Sequence, residues 1–300
     1  MTAELSPDLS PELSIVIGAQ QALATIVPCL RSLVHADGPP FEVIVVDGSS
    51  DATANTVARL FPAVRLERTR PELLMPQLWA IGIAQARAPL IALTNAQCIP
   101  ADDWVPTMLR LAAANPAAVG IGGPIEGPPG GTPLDWALYF ARYSAYMPPV
   151  AAGPVAEIPG DNALYRRAAL DSYWTQRAAG FWENLVHHRM RAAQAPIIME
   201  PAMRVTLGGP TRIADAVRLR MRHGRHYGAT RPGLVGPRRL AYVAAAPAVA
   251  PLLVARVARR VRAKRPDLQP MLVQALPWLA LLAAAWAGGE MRGYLSGRPW

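Results

Sequence analysis

The sequence predicts an α/β fold in which a mostly parallel sheet is flanked by helices. Short apolar runs rich in β-branched residues indicate buried strands at residues 13–18, 41–47 and 90–94. Between the first two lies a segment, residues 22–34, whose apolar side chains recur at helical spacing. Strands that alternate with helices in this way form parallel sheets, because each connection has to cross back over the sheet.

The remaining elements of the body carry weaker signals. A Gly-Ser-Ser turn follows the second strand, and Asp51 after it is a helix N-cap signal, so a helix is expected to run to residue 60. In chain order we then expect a strand at residues 64–67, a helix at 77–86, a strand at 118–123, a loop at 124–133, an aromatic-rich segment at 134–146, a turn that feeds a helix at 157–167, a helix at 183–194 and short strands at 197–199 and 204–207.

The composition limits the classes of protein. With 300 residues, 52% hydrophobic and 17% charged, the chain can bury a large core, which excludes extended disorder. Its two cysteines, Cys29 and Cys98, cannot form a disulfide framework, and no cluster of Cys and His indicates structural zinc. Residues 1–14 are acidic and lack an apolar run, so they are not a secretory signal, and we expect the body to stay in the cytosol.

Charge is divided unevenly along the chain. Residues 1–200 carry 13 Arg against 18 acidic side chains, whereas residues 201–300 carry 17 basic side chains against three acidic ones. A basic segment suits nucleic acid or an anionic membrane surface, and the apolar character of this one favours the membrane. Residues 212–227 form a basic amphipathic helix that either lies on such a surface or packs as a solvated helix on the body, and the sequence leaves both alternatives open.

Two apolar runs close the chain. Residues 240–255 are 16 residues long with two prolines, and residues 270–288 are 19 residues without a charge. Only the second approaches the roughly 20 residues that cross a bilayer, so we expect it to span or to lie flat, and the first to be re-entrant or interfacial. If both runs crossed, the basic residues between them would lie opposite the body, against the positive-inside tendency. We therefore predict two domains, residues 1–210 and a membrane-associated part at 211–300.

Ligands of parallel α/β sheets bind at the carboxyl ends of the strands, so chemistry is expected there. Asp47 ends the second strand and either accepts hydrogen bonds from a nucleoside or is an ordinary turn residue. Glu183 begins a helix after Trp182, so it is either an acid favoured by the helix dipole or a partly desolvated general base. Asp161 and Asn162 follow a glycine and either bind an acceptor hydroxyl or cap the next helix.

Other motifs point away from different chemistry. The Gly/Pro-rich loop at residues 122–131 lacks the Gly-Lys-Ser/Thr ending of a phosphate-binding loop, and no Gly-x-Gly-x-x-Gly follows the first strand. His187 and His188 have no further partner at metal-ligand spacing, so a solvated or capping role is expected. Cys98 follows a strand end without a Cys/His/Asn arrangement and is expected to be a buried thiol.

Five segments occur in an order and at a spacing that resemble family 2 glycosyltransferases. They are LSIVIGAQQ, FEVIVVDGSSDAT, LWAIGIAQARAPLIALTNAQCIPADDW, GDNALYRRAAL and GFWENLVHHRMRAAQ. The ending AWAGGEMRGYLSGRP is similar to the membrane-proximal tail of many bacterial members. The resemblance covers nearly the whole chain. It implies a GT-A fold, the Rossmann-like fold of nucleotide-diphospho-sugar transferases, followed by membrane-associated helices.

On the donor side, the resemblance assigns roles to four residues. Ala19 and Asp47 fall where the family contacts the base and ribose of the nucleotide. Asn95 and Gln97 fall on the Asp-x-Asp motif that normally holds Mg²⁺ or Mn²⁺ on the sugar diphosphate. Hard divalent cations prefer carboxylate oxygen, so these amides predict no metal ligand here and leave the use of Mg²⁺ or Mn²⁺ open.

On the acceptor side, Glu183 falls on the second acid of the family's Glu-Asp pair and is implied to be the general base. Trp182 replaces the first acid, and with Asp161 and Asn162 it is implied to lie near the acceptor. The Gln-x-x-Arg-Trp signature of processive synthases is missing, because the chain has no Arg-Trp pair. This difference favours transfer of a single sugar over polymerisation.

Together these assignments imply an inverting transferase at the cytoplasmic face of the inner membrane. It would move one sugar from a nucleotide-sugar donor to a hydroxyl of a lipid or lipid-linked glycan, with membrane lipid and no nucleic acid as further partners. Without a metal, positive charge for the leaving diphosphate would come from the amphipathic helix, namely from Arg218, Arg222 and Arg225 or from His223 and His226. The alternative is a non-catalytic nucleotide-sugar-binding or membrane-scaffold protein on the same fold.

Overall fold

The structure, a computed structural model, describes residues 10–34, 39–71, 73–231 and 237–299. Over these residues the chain divides into two compact units, one within residues 1–126 and 146–208, the other within residues 127–145 and 209–300. A short helix near the middle of the chain, which the predicted division at residue 210 places in the first domain, groups with the C-terminal helices instead.

An eight-stranded sheet forms the centre of the first unit. Its strands are β1 (Leu13–Ala19), β2 (Phe41–Asp47), β3 (Arg65–Arg68), β4 (Leu90–Asn95), β6 (Gly120–Gly122), β8 (Gly153–Pro154), β9 (Asn162–Arg166) and β10 (Ile197–Met199), in the spatial order β3-β2-β1-β4-β9-β6-β10-β8. The neighbours of β1 and β2 are all parallel, as expected. A second sheet of three short strands orders β5 (Cys98–Pro100), β11 (Val205–Leu207) and β7 (Ile125–Glu126).

Residues 162–166 correct the predicted turn at 157–167. They form β9, which runs antiparallel between β4 and β6 in the middle of the sheet. The predicted helix begins only after this strand, at Arg167. A short apolar stretch between polar residues does not distinguish a buried strand from the start of a helix, and the strand was therefore missed.

Helices cover the sheet and fix its strand ends. They are α1 (Ile26–Val34), α2 (Thr53–Leu60), α3 (Met75–Gln85), α4 (Trp104–Ala114), α6 (Arg167–Tyr173) and α7 (Glu183–Ala192). Both β1 and β2 are buried along their whole length, which explains their continuous apolar sequence. Gly82 of α3 lies directly against Val16 and Val46, so the missing side chain lets this helix approach the two strands closely.

The second unit is helical. Its elements are α5 (Pro133–Tyr143), α8 (Ile213–Thr230), α9 (Pro237–Lys264) and α10 (Gln269–Ser296). Gly224 and Gly228 of α8 lie against the backbone of residues 286–290, and Gly289 and Gly293 of α10 lie against the backbone of residues 221–229. Such reciprocal Gly-x-x-x-Gly contacts let two helix backbones touch, which is a common packing of helices in membranes.

Two helices of this unit are long and apolar enough to cross a membrane by length and composition. They cover Arg238–Lys264 and Pro266–Ser296, which contain 18-residue stretches with mean hydropathies of 1.8 and 1.6, respectively. The apolar run at residues 240–255 thus belongs to a continuous helix of 27 residues, about 40 Å long, which exceeds a bilayer core of about 30 Å. The short length of the apolar run therefore does not support a re-entrant segment. How the two helices are arranged relative to a membrane stays a prediction.

Candidate active site

The carboxyl ends of β1, β2 and β3 lie side by side in the first unit. Ala19 is paired with Asp47 in the parallel ladder, and the N–H of Gly48 donates to the Ala19 carbonyl at 2.9 Å. The N–H of Thr69, just after β3, donates to the Asp47 carbonyl at 2.8 Å. Ala19 and Asp47, two of the four predicted donor-side residues, thus lie at one edge of the sheet. Ala19 is fully buried and has only a methyl side chain. It can therefore contribute to a ligand site only through its backbone and its small size.

Asp47 is a buried acidic residue at this edge. Its side chain is 3% exposed, and its Oδ1 accepts a hydrogen bond from the N–H of Ser49 at 3.1 Å. Burial raises the pKa of Asp47, and the Ser49 hydrogen bonds partly oppose this shift. A carboxylate kept at a strand end against its desolvation cost can accept hydrogen bonds from hydroxyl groups of a ligand.

Two glutamines after β1 are site candidates that sequence reasoning missed. Gln21 has a positive φ of 48°, and its Oε1 accepts from the N–H of Ser50 at 2.7 Å, which ties the loop after β1 to the loop after β2. Gln20 donates through Nε2 to the Leu73 carbonyl at 2.5 Å. Its Oε1 is buried and has no hydrogen-bond partner among the described residues, so it can accept an N–H from a ligand. Their position directly after the first strand is the sequence signal that could have identified them as site residues.

Asn95 at the end of β4 is held in one orientation. Its Oδ1 accepts from the N–H of Gln97 at 2.7 Å, and its Nδ2 donates to Asp161 Oδ1 and to Cys98 Sγ, the latter at 3.4 Å. The two side chains that the sequence assigned to opposite sides, Asn95 to donor and Asp161 to acceptor, are therefore hydrogen-bonded to each other. The Asn95 amide donates a hydrogen bond to the Asp161 carboxylate. An ionised carboxylate at position 95 has no hydrogen to donate.

Glu183 lies beside the same strand end. Gly160, which precedes Asp161, is so close that an added Cβ would lie 2.8 Å from the Trp79 ring and 3.3 Å from the Glu183 carboxyl carbon. Trp79 in turn donates through Nε1 to the Thr94 carbonyl at 2.7 Å. The structure thus brings Glu183, Asp161 and Asn95 to the carboxyl end of β4, and we call these three residues the β4-end cluster.

A buried Tyr–His pair supports the start of α7. Glu183 is the first residue of this helix, and His187 follows one turn later on the same face. Tyr165 of β9 and His187 share a hydrogen bond of 2.8 Å between Oη and Nε2, and both are fully buried. Burial and the charge of Glu183 raise the pKa of Tyr165 well above its usual value, while burial and Arg191 lower the pKa of His187 to about 4. The expected solvated or capping role for His187 is therefore wrong.

Asn162 and Trp182 are placed differently from the β4-end cluster. Asn162 is fully buried; it donates to the carbonyls of Pro124 and Met203 at 2.9 and 2.7 Å and accepts from Trp104 Nε1 at 2.9 Å. The Asn162 amide group is thus hydrogen-bonded to groups of the protein itself, and Asn162 is not part of the proposed site. Trp182 stands at the N-cap position of α7 without a side-chain capping hydrogen bond; it is half-buried and donates through Nε1 to the Ala179 carbonyl at 2.9 Å.

The residues of the β4-end cluster fit a divalent cation poorly. Within the part of the chain that the structure describes, no group of three or more His, Cys, Asp or Glu side chains is arranged to hold a metal ion. Asn95 already donates its amide hydrogen to the nearest carboxylate, and Mg²⁺ and Mn²⁺ prefer sites with several carboxylate oxygens. The transfer step proposed below therefore involves no metal ligand from these residues.

The basic residues that the sequence offered for the diphosphate all lie in the second unit. Arg218 pairs with Asp215 at 3.7 Å, and Arg225 donates to the Arg298 carbonyl at 3.2 Å. Arg222 and His223 are half-buried, and His226 is buried. All five lie on α8, and Arg218 and Arg225 have partners within their own unit, so their role toward a diphosphate stays a prediction.

The comparison with protein families identifies the chain. Residues 14–174 match the model described as glycosyl transferase family 2, so the chain belongs to that family. It is therefore a glycosyltransferase with the GT-A fold that the sequence predicted. No curated protein sequence matches it.

Solved structures share the fold at low identity. The mannosyltransferase PcManGT from Pyrobaculum calidifontis, solved with GDP-Man and Mn²⁺, is 19% identical with a TM-score of 0.53, over 94% of this chain and 88% of its own. S. aureus TarS 1–349, solved with UDP-GlcNAc, is 15% identical with a TM-score of 0.50, over 93% and 90%. GalNAc-T7, solved with UDP, GalNAc and Mn²⁺, is 15% identical with a TM-score of 0.51, over 69% and 45%. These similarities support the fold and carry no residue roles.

Proposed function

We propose that the protein is an inverting transferase that moves a single sugar from a nucleotide-sugar donor to a hydroxyl group, with Glu183 as general base. The observation that carries this proposal is the position of the Glu183 carboxyl group beside Gly160 and Asp161, at the carboxyl end of β4. Ligands of such sheets bind at these strand ends. Glu183 is also half-buried and close enough to Tyr165 to shift its pKa, so it is an acid in a partly desolvated place.

The donor is proposed to bind along the ends of β1, β2 and β4. Asp47 would accept hydrogen bonds from the ribose hydroxyls, and the orphan Oε1 of Gln20 would accept an N–H of the base. Ala19 leaves room for the nucleotide, and Asn95 with Gln97 lines the path toward the sugar. The neighbours that support such binding contain GDP-Man and UDP-GlcNAc.

In the transfer step, the acceptor hydroxyl loses its proton to the Glu183 carboxylate and its oxygen forms a bond to the anomeric carbon. The bond between that carbon and the diphosphate oxygen breaks on the opposite face, so the configuration inverts and nucleoside diphosphate leaves. Asp161 and Trp182 are the side chains proposed to position the acceptor. The contribution of a general base of this kind is about 10²–10⁴ in rate.

The acceptor is proposed to be a lipid or lipid-linked glycan at the cytoplasmic face of the inner membrane. Two apolar helices support membrane association by length and composition. Their large apolar side chains are exposed, including Leu240 and Leu252 of α9 at 69% and 63%, and Val273 of α10 at 64%. A lipid surface would cover these side chains, and a lipid acceptor would then be concentrated where the enzyme is bound.

The test is release of nucleoside diphosphate by the detergent-solubilised full chain. A panel of UDP-, GDP- and dTDP-sugars would be offered with an extract of membrane lipids as acceptor, in Mn²⁺ and in EDTA. We expect one donor to be turned over, and Glu183→Gln to lower the rate by about 10²–10⁴. Activity is expected to persist in EDTA, because amides replace the carboxylates that would hold the metal.

The control variant is Glu157→Gln. Glu157 is exposed and pairs with Arg191 at 3.5 Å, so its replacement removes the same charge from the same unit and should leave turnover unchanged. Full activity of Glu183→Gln would contradict the assigned base. Donor-dependent thermal stabilisation without turnover in any arm would instead favour the non-catalytic nucleotide-sugar-binding protein.

A further inference from the structure

The helix α9 packs along one stripe of side chains and leaves the opposite side exposed. The packed stripe recurs every three or four residues and is buried or half-buried; its members are Val243, Ala246, Ala250, Leu253, Val257 and Val261. Residues at this spacing share one side of a helix. The exposed ridge on the other side, which we call the outward face of α9, consists of Leu240, Ala244, Ala248, Leu252, Arg256 and Arg259.

The outward face changes from apolar to basic along the helix. Residues 240–255 contain no charged side chain, and Leu240 and Leu252 are 69% and 63% exposed. This stretch is about 24 Å long. Arg256 and Arg259 follow on the same ridge, and both are exposed. An exposed apolar ridge that ends in guanidinium groups is typical of a helix that lies in the interface of an anionic bilayer.

The neighbouring helices α8 and α10 are parallel and in backbone contact. A Cβ added at Gly289 would overlap the carbonyl oxygen of Met221, and a Cβ added at Gly293 would overlap that of Arg225. One turn forward along α10 thus corresponds to one turn forward along α8. The two helices therefore cannot be placed at different depths of a membrane without breaking these contacts.

This packing places charged residues of α8 beside the uncharged run of α10 at residues 270–288. Trp286 lies within that run, and the guanidinium carbon of Arg220 is 4.5 Å from the centre of its ring. Earlier on α8, Arg218 pairs with Asp215 at 3.7 Å, and the Arg218 side chain is 69% exposed. A crossing α10 would carry this exposed charge into hydrocarbon, where it is costly. The length of α10 permits a crossing, but its partner helix opposes one.

Two prolines of α9 also favour the interface. Pro247 and Pro251 are exposed and lie inside the helix. A proline has no N–H, so the carbonyls four residues earlier, those of Val243 and Pro247, lose their helical donor. Water and lipid headgroups supply hydrogen bonds at a membrane surface, whereas hydrocarbon supplies none.

We propose that the outward face of α9 binds the surface of an anionic lipid bilayer and that neither α9 nor α10 crosses it. Leu240 and Leu252 insert among the upper parts of the acyl chains, while Arg256 and Arg259 bind lipid phosphates. The positive charge of the face favours an anionic lipid surface over an apolar protein partner. The inference rests on the membrane association in the proposed function and does not depend on the transfer reaction.

The first experiment measures flotation of the full chain with preformed vesicles after detergent removal. We expect binding to vesicles that contain phosphatidylglycerol and weaker binding to phosphatidylcholine alone. Arg256→Gln with Arg259→Gln should weaken binding to the anionic vesicles about tenfold or more, because each basic residue near such a surface contributes. The matched control, Arg31→Gln with Arg110→Gln, removes the same charge from exposed positions of the first unit and should change binding less than about twofold. Equal loss in the two double variants would overturn the assigned face.

Leu252→Gln tests the apolar part of the face. It should weaken vesicle binding about fivefold, because an exposed leucine no longer leaves water. The control is Leu60→Gln, since Leu60 is 46% exposed on α2 of the first unit and should not contact lipid. Equal binding by Leu252→Gln and Leu60→Gln would contradict insertion. A chain that binds neither vesicle and that Leu252→Gln converts from dimer to monomer would show that a second copy covers the face, which also overturns the proposal.

Cysteine labelling in sealed vesicles separates surface-bound helices from crossing ones. Gln269→Cys places a thiol at an exposed position where α10 begins, and the native Cys29 and Cys98 are buried. With the variant bound outside anionic vesicles, an impermeant maleimide should label it equally before and after lysis. Ser172→Cys, exposed in the first unit, defines full labelling from outside. Protection of residue 269 until lysis would show that the two helices cross and would overturn the proposal.

These measurements do not use turnover, so they fail separately from the proposed reaction. Vesicle binding as expected, without transfer from any donor, supports the membrane surface and counts against the transferase. Transfer to a lipid acceptor in detergent, without binding to either vesicle, supports the transferase and overturns the membrane surface.

Discussion

Different kinds of contact stabilise the interior of each of the two units. In the first, buried polar side chains tie strand ends and loops to one another. Ser14 donates to Glu42 at 2.7 Å, Trp79 to the Thr94 carbonyl and Asn162 to two loop carbonyls. In the second, helix backbones touch through Gly224, Gly228, Gly289 and Gly293.

The comparison shows where the molecule holds a fixed polar geometry. A network of satisfied hydrogen bonds fixes the geometry of the β4-end cluster before any substrate arrives, which is the preorganisation that catalysis needs. The contacts described for the second unit are made instead by glycine positions at which the backbones of α8 and α10 touch. The following predictions test this contrast, from the largest expected effect to the smallest.

Replacing Asn162 should destabilise the first unit strongly. Asn162→Ala leaves the Met203 carbonyl and the indole N–H of Trp104 without this partner, and it leaves the Pro124 carbonyl with only the long contact from the Val205 N–H at 3.5 Å. Each buried group left unsatisfied costs about 1–3 kcal/mol, so we expect a total loss of roughly 3 kcal/mol or more in the free energy of unfolding. Urea unfolding measures this loss. Hydrogen exchange followed on peptides that cover residues 120–126 and 203–207 shows whether it arises around the Asn162 contacts.

Asn115→Ala is the matched control for this variant. Asn115 ends α4 and makes one side-chain hydrogen bond, to the Leu111 carbonyl at 3.0 Å, in a half-buried place. Its loss should cost about 1 kcal/mol or less. If Asn162→Ala were no more destabilising than Asn115→Ala, the first unit would not depend on its buried polar contacts in the way described.

The sequence predicted the strands around the site but not the contacts between them. The runs at residues 13–18, 41–47 and 90–94 became β1, β2 and β4 because strands buried on both faces are continuously apolar. The meeting of Asn95 with Asp161 depends on β9 inserting antiparallel beside β4, a long-range pairing that no local pattern encodes. Glu183 and Asp47 were predicted as site residues, and their roles stay predictions.

The glycine contacts of the second unit should be less costly to disturb than Asn162. An added Cβ at Gly289 would overlap the Met221 carbonyl oxygen and lie 2.8 Å from the carbonyl carbon, so Gly289→Ala is expected to cost about 1–3 kcal/mol. Gly288, its neighbour in α10, has nothing within 4 Å of the Cβ position. Gly288→Ala should therefore gain about 0.5–1 kcal/mol from its better helix propensity.

Thermal unfolding of both variants in one detergent separates packing from propensity. Hydrogen exchange of peptides from α8 should rise in Gly289→Ala and stay unchanged in Gly288→Ala, because only the first pushes the helices apart. Equal stability of the two variants would mean that α8 and α10 are not in backbone contact. The spacing of Gly224 with Gly228 and of Gly289 with Gly293 was visible in the sequence and could have predicted this contact.

The smallest expected effect concerns Asp47 and depends on pH. Burial raises its folded-state pKa above the value of 3.8, so between those two pKa values the folded protein binds more protons than the unfolded chain. The free energy of unfolding therefore falls as pH rises through this window, and the cost persists at neutral pH. Asp47→Asn keeps the oxygen that accepts from Ser49 and removes the charge, so it should be slightly more stable at pH 7 and equal near pH 3.

Thermal melting between pH 3 and pH 8 measures the difference in stability between Asp47→Asn and the unsubstituted chain. Donor binding by the same two proteins shows whether the carboxylate serves the ligand. Asp47→Asn should gain stability and lose affinity for the nucleotide-sugar, since a buried carboxylate is retained here for its hydrogen bonds to the ligand. Asp171→Asn is the control, because Asp171 is exposed and paired with Arg177 at 2.7 Å, so its change should bring neither the gain nor the loss. A variant Asp47→Asn that is less stable at pH 7 than the unsubstituted chain would show that the carboxylate supports the fold and that the first unit does not hold this charge for its ligand.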